Sequence, residues 1–420
     1  MIEKSNTVQN HPIKTDYDII IVGGGMIGTS LALALEPLNL KLALIEAVEA
    51  GDSQQPSFDD RSTVLSRSSQ RMYMAMGLWD EILKAATPIT SLHISDKGRF
   101  GFSHIEAKEQ NVEALGYVVI NRILGKVLRS TIKEKRNIEI MCPASARALK
   151  MFDNHNTVSI DDRGILRDLS CKLVVSADGS QSTTREFLGI STSKIDYKQS
   201  AIIGNLQTEK NSNNRAFERF TRSGPITLLP IQEDRMAFVW ISSTESSKKH
   251  LDLSDEEFTS KLQEVFGFRL GKFSRIGARF SYPLALNRAN RLIAKRGVLV
   301  GNAAHSLHPV AAQGFNLGLR DVATLSDCLM EAKITQKFDP GDIDVLEKYS
   351  NWRKSDHTKL IHFTDGIVRL FGSGYLLTKI FRSFGMIGFD FIPGVRKEFA
   401  RHTMGLAGKL PRLSRGLPLE

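Results

Sequence analysis

The chain is poor in cysteine: Cys142, Cys171 and Cys328 are its only three in 420 residues. An odd count at wide spacing, with no CxxC pair, excludes a disulfide framework and a cysteine zinc site. Free thiols in a reducing cytoplasm are the expectation. Long apolar runs are also missing, and none reaches the ~20 residues that a bilayer-spanning helix needs. Residues 1–15 are polar and lack the apolar centre of a secretory signal, so they read as a disordered lead-in. The formal net charge is +10, yet the basic residues form no consecutive block and no aromatic-rich RNA-binding motif accompanies them. Nucleic acid is therefore the least supported partner; an anionic membrane surface or a phosphate-bearing cofactor suits the charge better.

What is present begins at residue 16. Asp18–Val22 is a short, β-branched apolar run and reads as a buried parallel strand. Gly23, Gly25 and Gly28 follow as GxGxxG, and Ile27, Leu31, Leu35 and Leu38 then recur at helical spacing. Lys41–Ile45 reads as a second strand, ending in Glu46. In such a turn the first glycine permits the tight exit from the strand. The second lets the backbone approach a pyrophosphate, and the third lets the helix pack on the strand. The helix N-terminus then faces the phosphates. Glu46 stands where an acid binds a ribose hydroxyl, which favours FAD or NAD over NADP here.

Further along, Arg61 lies in a polar turn ahead of a helical pattern through Leu65, Met72, Met76 and Leu78. Ile89–Ile105 alternates around Asp96-Lys97-Gly98 and predicts a hairpin. Val118–Leu128 returns to a strand-to-helix pattern, with Arg122 near the helix start. Leu173–Val175 is another buried strand, ending in Ala177-Asp178-Gly179. Ala201–Leu284 reads as short strands, interrupted by a helix that Ser254 and Glu257 cap. Gly297–His305 is a strand running into a loop, with a helix beginning near Asn316. Polar or glycine residues thus stand at three strand ends, near Gly23, Asp178 and Asn302, and together they describe one elongated cofactor. His305 and His308 lie in a loop before a proline without a partner motif for a metal. No metal is expected there; the histidines read as loop supports, with a general base as the alternative.

These segments resemble a known family. GxGxxG at Gly23–Gly28, Ala-Asp-Gly at Asp178, and HPVAAQGFNLGLRD within Gly301–Asp321 are similar to the aromatic-ring flavoprotein monooxygenases. The last stretch resembles the signature of the ubiquinone-biosynthesis hydroxylases. FDDRSTVLS, HISDKGRFGF, Arg215–Phe220, FGFRLGK, YPLAL and VGNAAHSLHP resemble their UbiH-type 2-polyprenyl-6-methoxyphenol hydroxylase branch. Two positions depart from the wider pattern: Asn302 stands where an Asp is usual and marks a subgroup, and Ala312 stands where Gly is usual.

The resemblance implies an α/β protein with a discontinuous Rossmann-like FAD-binding domain over 16–88, 112–190 and 285–345. It also implies an inserted antiparallel β-sheet substrate domain over 89–111 and 191–284, and C-terminal helices over 346–420. It places Gly23, Gly25 and Gly28 on the FAD pyrophosphate, Glu46 on the adenosine ribose, and Arg61 near the isoalloxazine. Arg122 would meet the dinucleotide, Asp178 and Gly179 both FAD and NAD(P)H, Gly301 and Asn302 the ribityl chain, and Pro309, Gln313, Gly314, Phe315 and Asn316 the ring. The implied reaction is hydroxylation of a polyprenylated methoxyphenol with NAD(P)H and O₂ through a flavin C4a-hydroperoxide. On the residues alone, an isoprenoid reductase or dehydrogenase and a non-catalytic flavoprotein scaffold stay open. No phenol-activating base is named. Tyr375–Gly394 is apolar and basic. It reads either as a helix on the FAD domain or as an interfacial segment meeting a membrane or other ubiquinone-biosynthesis proteins. The expected location is cytoplasmic, peripheral to the inner membrane.

Overall fold

The computed structural model describes residues 14–49, 61–98, 102–232, 234–306, 313–334, 338–372 and 393–419. In chain order, the first part holds β1 (Tyr17–Val22), α1 (Met26–Leu35), β2 (Leu42–Ile45), β3 (Ser62–Ser66), α2 (Arg67–Ala75) and α3 (Trp79–Leu83). Then come β4 (Thr87–Ile89), β5 (Ser91–Asp96), β6 (Phe102–Glu106), β7 (Gly116–Ile120) and α4 (Asn121–Lys133). They are followed by β8 (Ile138–Met141), β9 (Ala144–Met151), β10 (Asn156–Asp162), β11 (Ile165–Ser176) and α5 (Thr183–Phe187). The middle of the chain contains β12 (Thr192–Thr208), β13 (Arg215–Phe220), β14 (Ile226–Gln232), β15 (Arg235–Ser243), α6 (Thr244–Leu251) and α7 (Asp255–Phe266). The last strands are β16 (Phe273–Ser274), β17 (Phe280–Ala289), β18 (Ile293–Ala294), β19 (Gly297–Leu299) and β20 (His305–Ser306). Helices α8 (Gln313–Lys333), α9 (Ile343–Gly372), α10 (Pro393–Thr403) and α11 (Arg412–Arg415) complete it.

The first sheet runs β18-β19-β11-β1-β2-β8, and β19, β11, β1, β2 and β8 pair in parallel. Both faces of β1 are covered, which is why its sequence is a continuous apolar run rather than an alternating one. Ile19 and Ile21 face α1, α4 and α8, while Ile20 and Val22 face Val158 and Ile160 of the antiparallel β9-β10 arm. Helix α1 packs closely on α8: a Cβ on Gly318 would lie 2.9 Å from Ile27 and 3.1 Å from the Gly301 Cα.

The second sheet runs β20-β17-β12-β15-β14-β13-β5-β6. One face is a core of Ile202, Phe217, Leu228, Phe238 and Trp240 sealed by Phe258, Leu262 and Phe266 of α7. The capping box at Ser254 and Glu257 starts that helix. The hairpin expected over Ile89–Ile105 is β5-β6, and β5 also pairs in parallel with β13, tying it to the later strands.

Two details differ from the sequence reading. The boundary drawn between 284 and 285 cuts through β17, which stays hydrogen bonded to β12 as far as Thr192↔Ala289; β20 also pairs with β17. The long β12 pairs with both β15 and β17, so an alternation pattern ending at Leu284 understated the sheet. The helix expected near Asn316 begins at Gln313. Among the described residues, no helix is long and apolar enough to cross a membrane. Tyr375–Gly394 lies almost wholly outside the described residues, as do His308, Pro309 and Ala312.

Candidate active site

A cavity of about 1150 Å³ opens between the first and second sheets, with β3 of a third, three-stranded sheet (β3-β7-β4) also on its wall. Its dinucleotide end is made by the turn after β1. Gly23 sits at φ +105°, and a Cβ there would lie 2.5 Å from the Ala177 backbone. A Cβ on Gly28 would lie 1.8 Å from the Gly23 carbonyl oxygen. These two positions accept no side chain without moving the β1-α1 and β11 loops. Gly25 caps α1 with no side-chain acceptor, and the first turn of α1 holds no acid. Gly25, Met26 and Ile27 line the cavity. The positive end of the helix is therefore open to an anion.

Glu46 follows β2, and its carboxylate accepts the N–H groups of Gly24 at 2.7 Å and Val48 at 2.8 Å. That clamp fixes the acid against the cavity wall. Arg61 and Arg122 line the same cavity, as do Asp178, Gly179, Gly301, Asn302, Gly314 and Phe315. The Arg61 guanidinium lies 4.9 Å from the Tyr282 ring centroid and so bridges the first part of the chain to the second sheet. The far wall is apolar and comes from the second sheet: Ala201, Ile203, Leu229, Val239, Phe280 and Tyr282.

Three residues expected to meet the cofactor take other places. Gly28 lies behind Gly23, outside the lining. Asn316 accepts the Ser66 N–H at 2.8 Å and the Ser69 hydroxyl at 2.7 Å, and donates to the Val64 carbonyl at 2.8 Å. Its amide thus staples α8 to β3 and α2. Gln313 is buried and donates to the Thr403 carbonyl at 3.2 Å. Asp178 lines the cavity, yet its carboxylate accepts the Ser176 and Ser182 hydroxyls and the Thr184 N–H, so it also organises the start of α5. Pro309 lies outside the described residues.

A buried carboxylate that the sequence reading passed over anchors the Gly301 loop. Asp321 accepts the Gly301 N–H at 3.0 Å, His305 Nε2 at 2.8 Å, His357 Nε2 at 2.7 Å and Arg353 Nε at 2.6 Å. Burial opposes its charge, but the cations and donors around it hold the carboxyl well below its usual range. Burial also pushes His357 down to about 4, so it donates as a neutral imidazole. His305, Asp321 and His357 converge as metal ligands would, but both rings point a nitrogen at the carboxylate and Arg353 already neutralises it. His305 is thus a buried support of the loop. An acid in the apolar stretch of α8 was the available signal for this centre.

The glycine cradle, the open helix end and the clamped acid fit FAD, and the comparisons agree. Residues 16–364 match the model of the FAD binding domain family. The ubiquinone hydroxylase UbiL of Rhodospirillum rubrum is 33% identical over 405 residues, covering 96% of this chain and 93% of that protein. The ubiquinone hydroxylase UbiM of Neisseria meningitidis is 29% identical, covering 92% of this chain and 84% of its own. The p-nitrophenol 4-monooxygenase PnpA of Pseudomonas putida superposes with a TM-score of 0.78 at 17% identity over 94% of this chain and all of its own, which establishes a shared fold. This chain belongs to the FAD binding domain family and, within it, to the ubiquinone hydroxylase group of FAD-dependent monooxygenases.

Proposed function

We propose that the enzyme hydroxylates the aromatic ring of a polyprenylated methoxyphenol in ubiquinone biosynthesis, using NAD(P)H and O₂. The carrying observation is that one cavity joins a glycine-walled dinucleotide end to an apolar end built from the second sheet. Gly23 and Gly25, with Gly28 behind them, hold the FAD pyrophosphate, and Glu46 holds the adenosine ribose. Arg122, Asp178 and Gly179 border the dinucleotide, Gly301 and Asn302 its ribityl chain, and Arg61, Gly314 and Phe315 the ring. Gln313 and Asn316 act one layer back, by fixing α8. When bound, FAD supplies the redox and oxygen chemistry. The chain's own part is to orient the phenol against the flavin and to keep water out. Ile203, Val239 and Phe280 serve the second purpose, because water diverts activated oxygen from the substrate.

The test is ¹⁸O₂ turnover of a short-chain 2-prenyl-6-methoxyphenol with NAD(P)H. Labelled hydroxylated product is the expected result. Turnover without label supports an isoprenoid reductase or dehydrogenase instead, and no turnover leaves the non-catalytic scaffold.

A prenyl tail brings the substrate to a membrane surface, and we assign the apolar, basic Tyr375–Gly394 segment to peripheral contact with it. Truncation is a poor test, because Leu413 and Leu419 are part of the main core. Replacing Leu376, Ile380, Phe384 and Ile387 by serine should abolish co-sedimentation with anionic vesicles. Unchanged co-sedimentation would refute the assignment.

A further inference from the structure

The second sheet contains a buried acid that no step above uses. Glu218 is on β13, and its register partner on β14 is Thr227. Thr227 in turn is paired with Val239 of β15, which lines the cavity. Registered residues in antiparallel strands project from the same face, so Glu218 and Thr227 continue the row of Val239, the one of the three that lines the cavity. The flanking residues agree: Phe217 and Leu228 point the other way, into the core under α7. The Thr227 hydroxyl donates to Glu218 Oε2 at 2.6 Å. Glu218 Oε1 is buried without a hydrogen-bond partner, while Thr227 in front of it is partly exposed.

A buried carboxyl with one unmet oxygen costs stability, and a catalytic role is one reason for a fold to retain such a group. We propose that Glu218 receives the proton of the substrate's ring hydroxyl through Thr227, an inference that rests on the phenol-hydroxylase reading above. The phenol donates a hydrogen bond to the Thr227 oxygen, whose own proton is already directed at Glu218. In the transfer, the phenol O–H bond breaks and its proton joins the Thr227 oxygen. The Thr227 proton passes to Glu218 Oε2. A phenolate and a neutral carboxylic acid result, with no electron transferred. The phenolate is the more electron-rich ring, which is what attack on an electrophilic oxygen needs.

Burial supports this role by pushing the Glu218 carboxyl up to about 7, against the lowering effect of the Thr227 hydrogen bond. A base near the working pH is the effective one. The neighbours on its side of the sheet are Ile94 and Asp96 of β5 and Thr227 of β14. Helix α10 turns Ala400 toward the β5-β6 cluster, with Met404 just beyond its end; Lys397, Glu398 and Arg401 are exposed and His402 is half-buried. Asp96 is therefore the titratable group to control for in any pH profile.

The experiment compares the wild-type holoenzyme with Glu218→Gln, Thr227→Val and Thr227→Ser, using short-chain 2-prenyl-6-methoxyphenol as the probe. The first readout is the ultraviolet difference spectrum of the bound phenol against pH; the second is the hydroxylation rate. Wild type and Thr227→Ser should show phenolate at a pH well below the free phenol's range. Glu218→Gln and Thr227→Val should show none, with hydroxylation lowered about 10²-fold and flavin content unchanged. Phenolate and turnover in Glu218→Gln equal to wild type overturn the proposal, as does a wild type that hydroxylates the bound phenol without ionising it. A wild type that binds the phenol but never hydroxylates it overturns the functional reading, and this inference with it.

Discussion

Replacing Glu218 by Gln should stabilise the protein, and only at high pH. The carboxyl titrates near 7 in the fold because burial disfavours its charge. An unfolded Glu titrates near 4.3. The fold therefore keeps a proton that the unfolded chain releases, and stability falls as pH rises from about 4.5 to 7. At pH 8 the accumulated penalty is roughly 3 kcal/mol, and at pH 5 it is below about 1 kcal/mol. Gln is neutral throughout and retains the acceptor for Thr227. Its buried amide N–H₂ adds a penalty of its own, but one that does not vary with pH. The diagnostic quantity is thus the difference between the two pH values, roughly 2–3 kcal/mol. With an unfolding entropy near 2 cal/mol/K per residue, that amounts to ~2–4 °C in Tm for a chain of this length unfolding as a unit. Differential scanning calorimetry at pH 5 and pH 8 reads it directly. A Glu218→Gln shift that is the same at both pH values would refute the buried, proton-retaining carboxyl, whatever the enzyme's activity.

His357 has the opposite sign. Its folded value of about 4 lies below the unfolded 6.5, so stability is complete above pH 6.5 and declines toward pH 4, by about 3 kcal/mol in all. His357→Gln should flatten the acid limb of Tm against pH; an unchanged limb would place the effect elsewhere, with His93 the next candidate, since burial pushes it down to about 3. Asp321→Asn removes one of the two carboxylates that pair with buried Arg353, leaving Asp356, and takes the charge from the acceptor of Gly301, His305 and His357; it should lower unfolding free energy by about 1–3 kcal/mol, measured in urea; no loss at all would remove this carboxylate as the loop's anchor. Gly28→Ala places a methyl 1.8 Å from the Gly23 oxygen. Flavin absorbance per protein should fall, with FAD affinity reduced at least about tenfold, or ~1.4 kcal/mol; full flavin content would contradict the close packing of this turn.

What could be read from the chain follows from how local the signal is. The turn after β1 is legible because its steric demands fall on adjacent residues: Gly23 must take a positive φ and Gly28 must touch Gly23. The capped helix at Ser254 is legible for the same reason. Asn316 was harder. Its motif neighbourhood pointed to the cofactor, but the partners that consume its amide, Val64, Ser66 and Ser69, lie about 250 residues away. Sequence spacing carries no trace of such a staple. The boundary at Leu284 failed similarly, because β17 is held by the distant β12 rather than by its own pattern.

Glu218 shows where the physical reading goes further than the motif. In Arg215–Phe220 it is an acid in a strand whose neighbours are mostly buried. Alternation alone puts Ala216 and Glu218 on one face, but it does not say whether that face meets water, a helix or a cavity. The answer depends on β15 placing Val239 in the same row and on α7 covering the opposite side. The glycine-walled end of the cavity is thus fixed by short-range backbone constraints, whereas its apolar end is assembled across β12 to β17 by register. A sheet-built pocket can change which side chain faces the ring by substitution at a single alternate position, leaving the nucleotide turn untouched. Substitution in the Glu218–Thr227–Val239 row of this chain should therefore change turnover of the phenol while flavin absorbance per protein stays the same, and a loss of flavin would contradict this separation.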